Sequence, residues 1–351
     1  MSKVLIIQNT ISHYRVPIYN LIAEKHDVEV MYSYGTAPVG CNFRTTKVET
    51  ITLWKFILHR AVLLNYAKQF DVVIAMLSPT WISFLLLGGN PFRTYRFITW
   101  GIGVPASYSV HYDDLSKSIL GLKFLINLSD AVIFYSDYPK RKYDLMGIKK
   151  EKMFVAHNTV QVGDVSDVEK DIILFVGTLY AAKGVEILLR AYQKARDFSC
   201  LIPKLIIIGG GDDYAKIETW VRDNSLESDI RLMGPIYEER ELARYFERAI
   251  ICVSPNQAGL SVQKSMGYGV PFVTNVNSFT GGEIFDIKSG VTGITYSTDE
   301  ELIEILVDVA NNKGKYIDMG KHAKKFYDSN RTPLMMASEV LKAIEYVLDK
   351  Q

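Results

Sequence analysis

Short apolar runs alternate with longer segments of helical period along most of the chain, and this alternation restricts the fold more than any other feature. Val4–Gln8, Asp27–Ser33, Asp71–Met76, Arg96–Thr99 and Ala131–Tyr135 read as buried strands. Helical patterns lie between them at Tyr14–Lys25, Trp54–Gln69 and Tyr112–Ser129. The stretch 157–170, HNTVQVGDVSDVEK, has mixed polarity and no period, and reads as a linker. The alternation then restarts with strands at Ile172–Val176, Lys204–Ile208, Ile230–Met233, Ile251–Ser254 and Pro271–Thr274. Helices are predicted at Val185–Arg196, Asp213–Asn224, Glu239–Ala249, Ser261–Tyr268 and Pro333–Leu348. Apolar strands joined through helices imply parallel sheets covered on both faces. The expected architecture is α/β: two doubly wound, Rossmann-like domains, residues 1–160 and 165–332, facing across a cleft at the carboxyl ends of their strands.

Composition supports a globular chain of that size. The 351 residues fit two domains of roughly 150 residues each, and 48% hydrophobic with 23% charged residues supplies two cores. Cys41, Cys200 and Cys252 are scattered and odd in number, so neither a disulfide framework nor a cysteine zinc site is implied. The start, MSKVLIIQNT, reads as a strand rather than a signal peptide. The longest apolar stretch, Trp81–Gly89, is shorter than the ~20 residues of a membrane span. The expectation is therefore a cytoplasmic protein. Charge is uneven: residues 1–160 carry 18 Lys and Arg against 11 Asp and Glu, and the remainder 22 against 28. A basic lobe fits a phospholipid surface or a phosphorylated acceptor better than nucleic acid. WKFILHRAVLLNYAKQF (54–70) reads as a helix whose basic and apolar faces could rest on an anionic membrane. PKRKYDLMGIKKEK (139–152) adds further positive charge.

The second half contains the phosphate-binding signals. In ILFVGTLYAAKGVEILLRAY (173–192), Gly177 follows a strand and Lys183-Gly184 opens a helix. A glycine allows close backbone approach and a lysine supplies a point charge. LIIIGGGDDY (205–214) runs a strand into three glycines, best used as a tight turn, since Asp212 and Asp213 would repel a pyrophosphate there. Ile236 and Tyr237, after Gly234-Pro235, could hold a base, or Tyr237 could simply be a half-buried turn residue. In SPNQAGLSVQKSMGYGVPFVT (254–274), Gly259 precedes a helix starting near Leu260, whose free N–H groups, with Ser261, form an anion site. In the first half, Tyr14 and Arg15 follow strand one, and Trp100, Gly101 and Gly103 follow another strand. Arg15 could pair with a phosphate or simply cover the surface, Trp100 could offer a flat face or sit in the core, and the glycines would allow close approach.

These stretches, in this order and together with GGEIFDIKSGVTG (281–293), resemble glycosyltransferase family 4 of the GT-B fold. SHYRVPIYNLIAE (12–24) and TWGIGVP (99–105) are similar to a subgroup that builds bacterial surface polysaccharides such as lipopolysaccharide O-antigen or capsule. The resemblance implies sugar transfer from a nucleotide donor, a UDP- or GDP-sugar, to a lipid-linked or saccharide acceptor. It implies retention of configuration, no bound metal or other cofactor, and a last helix, 333–351, that returns to the first domain. It places the donor at Gly177, Thr178, Lys183, Gly210, Ile236, Tyr237, Gly259, Leu260, Ser261, Lys264 and Glu283. The acceptor would lie at Tyr14, Arg15, Trp100, Gly101 and Gly103.

Departures from that pattern are specific. Thr178 stands where the family usually has arginine, and Ile102 where the subgroup commonly has histidine. Asn256 and Lys264 replace the glutamates of an E-x7-E pair, and Gly282 replaces the proline before Glu283. A charged lysine cannot accept a hydrogen bond from ribose but can neutralise phosphate. The expectation is that Lys264 faces the diphosphate beside Lys183 and that Asn256 bonds the donor sugar. The same departures also fit an inactive scaffold, and the fold a sugar-nucleotide epimerase.

Overall fold

The computed structural model describes residues 1–60, 62–106, 112–113, 118–166 and 168–350. The chain divides into two compact units. The first comprises Met1–Ala106, Tyr112–Val160 and the C-terminal segment from Thr332; the second covers Gln161–Arg331.

Among the described residues the first unit has nine strands: β1 (Lys3–Gln8), β2 (Asp27–Tyr32), β3 (Arg44–Lys47), β4 (Thr50–Leu53), β5 (Phe56–His59), β6 (Val72–Met76), β7 (Arg96–Gly101), β8 (Ala131–Phe134) and β9 (Met153–Val155). Its helices are α1 (Val16–Ala23), α2 (Val62–Ala67), α3 (Ile82–Gly89), α4 (Ser118–Leu128) and α5 (Asp137–Leu145). Seven strands form a parallel sheet in the order β3-β2-β1-β6-β7-β8-β9. One face buries Val4, Ile6, Val30 and Ile133. The other buries Leu5, Ile7, Val73 and Phe97. Continuous Val/Ile/Leu strands are what a sheet covered on both faces requires. The order reverses at β1/β6, so a crevice opens past the ends of β1 and β6.

The final helix, α12 (Pro333–Leu348), belongs to the first unit. Thr332 caps it, accepting from the Met335 N–H at 3.4 Å. Met336, Val340, Ile344 and Val347 join the core that includes Val16 and Ile18.

The segment 54–70 is not one amphipathic helix. Thr50–Leu53 and Phe56–His59 pair antiparallel as a hairpin, and only Val62–Ala67 is helical. Across the hairpin Leu53 pairs with Phe56 and Ile51 with Leu58, and Trp54 at the tip adopts a positive φ of 57° that ends any helical continuation. Trp54 is 84% exposed, with Lys55 over its ring at 4.6 Å. Part of the helix read at Tyr112–Ser129 falls outside the described residues; the described helix is Ser118–Leu128.

The second unit has β10 (Ile172–Val176), β11 (Lys204–Ile208), β12 (Ile230–Leu232), β13 (Ala249–Val253), β14 (Gln257–Ala258), β15 (Phe272–Asn275), β16 (Phe279–Thr280) and β17 (Gly293–Tyr296). Its helices are α6 (Val185–Phe198), α7 (Tyr214–Asp223), α8 (Glu239–Arg248), α9 (Leu260–Gly267), α10 (Asp299–Asn311) and α11 (Lys313–Asn330). The main sheet is parallel, ordered β12-β11-β10-β13-β15-β17, and reverses at β10/β13. Its faces are closed by two cores, one under α6, α7 and α10 and the other under α8, α9 and α11. A buried ion pair fastens the second layer: Arg331 at the end of α11 donates through Nε and Nη2 to Asp286 at 2.7 and 2.5 Å, and Gln263 of α9 donates to the same carboxylate at 2.6 Å. Its three members are widely spaced in sequence and carry no local signal.

Candidate functional site

At the β10/β13 reversal the second unit builds a loop layer from glycine. The Gly177 N–H donates to the Ile208 carbonyl at 3.0 Å, and the Leu179 N–H to the Gly210 carbonyl at 2.9 Å. The Gly209 N–H donates to the Gly234 carbonyl at 2.9 Å. Three loops thus lie backbone to backbone. A Cβ at Gly209 would stand 1.8 Å from the Gly177 oxygen, and one at Gly211 2.3 Å from the Leu179 oxygen. Gly210 has only ordinary contact with Pro235, at 3.4 Å. The close approach that glycine permits is therefore used at Gly209 and Gly211 to bring the loops together.

Lys183 lies over this layer. It ends a turn of 3-10 helix, and its Nζ would be 3.1 Å from a Cβ placed on Gly177. Among the described residues it has no carboxylate within ion-pair distance. Burial pushes its pKa down to about 8, against a smaller opposing effect of Cys252 beneath it. An unpaired, partly desolvated amine is a group whose charge an anionic ligand would stabilise.

Asn256 is brought to the same place. A side chain at Gly184 would meet the Asn256 amide at 2.6 Å, and the Asn256 N–H donates to the Lys183 carbonyl at 3.3 Å. From Asn256 the chain passes through β14 to Gly259, the N-cap of α9, where no side chain occupies the cap. Leu260 and Ser261 form the first turn, so amide donors stand in sequence with Asn256. β16 pairs with β14 and carries the following turn alongside. In that turn Glu283 is buried and accepts from the Gly281 N–H at 2.8 Å. Thr178 is exposed beside Gly177.

Two sequence expectations change. Lys264 has another partner: its Nζ donates to Glu239 Oε2 at 2.6 Å, and Tyr268 donates to Oε1 at 2.9 Å. The reason is local, since α8 begins with Glu239 and presents its carboxylate to α9. Tyr237 is not a half-buried turn residue but is 92% exposed, while Ile236 packs partly against the core. The next residue, Glu238, caps α8 by accepting from the Arg240 and Glu241 N–H groups.

The first unit holds a pocket of about 280 Å3 past the ends of β1, β6 and β7. Tyr14, Arg15, Trp100, Gly101 and Ile102 line it, with Tyr135 and Asn9. Gly103 does not: a Cβ there would collide with Phe134 at 2.5 Å and Pro139 at 2.8 Å, so its closeness serves packing of the chain on itself. Arg15 is 7% exposed. Its Nη2 donates to Asn158 Oδ1 at 2.9 Å and Nη1 approaches Met336 Sδ at 3.1 Å. Its guanidinium lies over Tyr135, Trp100 and Tyr14 at 4.9, 5.2 and 5.4 Å. Sequence reasoning assigned Asn158 to a linker and gave Tyr135 no role; only its place next to a strand end could have marked Tyr135.

Residues 170–312 match the family described as Glycosyl transferases group 1. No curated protein matches the chain by sequence. Among solved structures, HepE from Anabaena in complex with UDP is similar at a TM-score of 0.74 and 14% identity, over 98% of this chain and 100% of that one. The lipopolysaccharide outer core galactosyltransferase WaaB in its apo form gives 0.69 and 17%, over 99% and 100%. A putative UDP-N-acetylglucosamine 2-epimerase from Listeria monocytogenes gives 0.70 and 14%, over 99% and 97%. The chain therefore has the GT-B fold of two Rossmann-like domains. Within it, most of the second unit is the part similar to Glycosyl transferases group 1.

Proposed function

We propose that the chain is a glycosyltransferase that moves a sugar from a nucleoside-diphosphate donor to a lipid-linked or saccharide acceptor, with retention, in bacterial surface-polysaccharide synthesis. The observation that carries this reading is Lys183, an amine without a carboxylate partner among the described residues, set over glycine backbone at the β10/β13 reversal. Lys183 and the amide end of α9 stabilise the departing diphosphate, and Asn256 bonds the donor sugar. The anomeric carbon–oxygen bond to the β-phosphate breaks, a new one forms to the acceptor oxygen, and the acceptor proton passes to the diphosphate. This route assigns no step to a metal and needs no strong protein base. Ile236 and Tyr237, on the loop whose Gly234 carbonyl accepts from the Gly209 N–H, would hold the base. Glu283 orders the turn beside Asn256.

A screen of UDP- and GDP-sugars by calorimetry, followed by a donor-hydrolysis assay, tests the reading. Binding of a nucleoside diphosphate with slow release of sugar is expected. Interconversion of the sugar nucleotide without any acceptor would replace it with the epimerase that the Listeria likeness brings to mind. No binding across the panel would leave a scaffold.

For membrane attachment, the hairpin tip takes the place of the helix read at 54–70. Exposed Leu53 and Trp54, with Lys55 beside them, combine apolar surface and positive charge. No helix among the described residues is long and apolar enough to cross a bilayer. Salt-sensitive flotation with anionic liposomes is expected to fall at least several-fold in Trp54→Ser; an unchanged bound fraction removes the hairpin from the contact.

A further inference from the structure

Arg15 has a charge that the first unit does not balance. None of its partners is a carboxylate: Asn158 and Met336 are neutral, and Tyr135, Trp100 and Tyr14 offer ring faces. Among the described residues, no acid comes within ion-pair distance of it. Burying a cation without a counter-charge is costly, even for a weakly hydrated guanidinium stacked on rings. A second group in the same pocket is also unsatisfied. Trp100 is 2% exposed, lines the pocket, and its Nε1–H has no acceptor. A buried donor left unpaired costs about 1–3 kcal/mol. The pocket is otherwise polar where the strands end, with Asn9, Thr10, Ser12 and Ser78 in its wall and no Asp or Glu. Unmatched positive charge, an unused donor and a wall without acids are complementary to an oxyanion.

We propose that this pocket is an oxyanion site, in which Arg15 with Trp100 beside it receives a phosphate or carboxylate carried by the acceptor. The assignment to the acceptor rests on the transferase reading above; the oxyanion site itself stands on the first unit alone. A phosphate ester of a carrier and the carboxylate of an acidic sugar share the chemistry that Arg15 recognises through its planar fork.

The full chain has four tryptophans, so indole N–H resonances in a 1H–15N spectrum report the pocket directly. Trp100 is assigned by Trp100→Phe, and Trp54, Trp81 and Trp220 serve as internal controls. Methyl phosphate, glucuronate and glucose are titrated at constant ionic strength. One or both anions are expected to move the Trp100 signal saturably, with dissociation constants on the order of millimolar, while glucose leaves it in place. The anion that binds names the source. Arg15→Lys should weaken the response about tenfold, since it keeps the charge but loses the fork. Arg15→Gln should abolish it while nucleoside-diphosphate binding persists. If Arg15→Gln fails to fold, the selectivity of the wild-type Trp100 signal still decides. No saturable shift with either anion overturns the proposal, as does an equal shift with glucose or at all four indoles. Failure of UDP and GDP to bind, with the methyl phosphate response intact, would remove the donor reading and leave this site standing.

Discussion

Arg15 in the first unit and Lys183 in the second occupy corresponding places, each a short way past the strand from which its sheet order reverses. Neither has a carboxylate partner among the described residues, yet they are housed differently. Arg15 is surrounded by aromatic rings, an amide and a thioether. Burial works against its charge, while Tyr135, Tyr19 and Tyr14 more than offset this and hold its pKa above the ordinary range. Lys183 lies over glycine backbone, and burial takes its pKa down to about 8. A delocalised cation tolerates a ring-lined wall, whereas a compact ammonium group loses hydration it cannot replace. The same topology thus gives one permanently charged centre and one that titrates near neutrality.

The largest effect separates the two centres. Lys183→Gln should weaken nucleoside-diphosphate binding about a hundredfold, because a desolvated charge-assisted contact to phosphate is among the stronger kinds. Arg15→Gln, in the other unit, should leave that affinity within about twofold, a size appropriate to energetically independent sites. Calorimetry measures both, and comparable losses in the two variants would erase the distinction. Acidity sharpens it further. Above pH 8 free Lys183 loses its proton, so affinity for the diphosphate should fall by up to about tenfold per pH unit. Lys183→Arg should flatten that slope. Stability should move the other way. The folded pKa is about 8 against an ordinary 10.5, so the unfolded chain binds the proton more tightly between these values. The stability associated with neutral Lys183 is therefore fully present above the ordinary value, is lost as pH falls through that window, and is gone below about 8.

The sheets were more legible than the contacts made by their loops. Runs such as LIIIG and IILFV specify central parallel strands through apolar content alone, and both strands form as Lys204–Ile208 and Ile172–Val176. The strand Phe56–His59 reads as helix because a mixed aromatic and leucine run satisfies helix and strand periods over a short window. At the sites, Lys183 and Gly177 announce themselves by their place after a strand. Asn158 beneath Arg15 does not, since a polar residue in a nonperiodic stretch gives no sign that it meets an arginine far away in sequence. Which glycine of Gly209, Gly210 and Gly211 is indispensable was equally hidden, because it depends on where the Gly177 carbonyl passes.

Lys264 gives the smallest effect and tests how far the comparison extends. Its sequence position suggests a third phosphate-facing cation, but its ammonium group is held by Glu239, which also accepts from Tyr268. The pair is partly exposed, with 16% of the lysine and 45% of the glutamate side chain open to solvent. Screening at that exposure limits its net contribution to about 1 kcal/mol or less. Lys264→Gln should therefore lower stability by that amount and change diphosphate affinity only a few-fold. A double-mutant cycle with Glu239→Gln should return a coupling of similar size. An affinity loss matching that of Lys183→Gln, with no coupling to Glu239, would mean that Lys264 leaves its glutamate when the donor arrives. The second unit would then hold its anion with two amines rather than one.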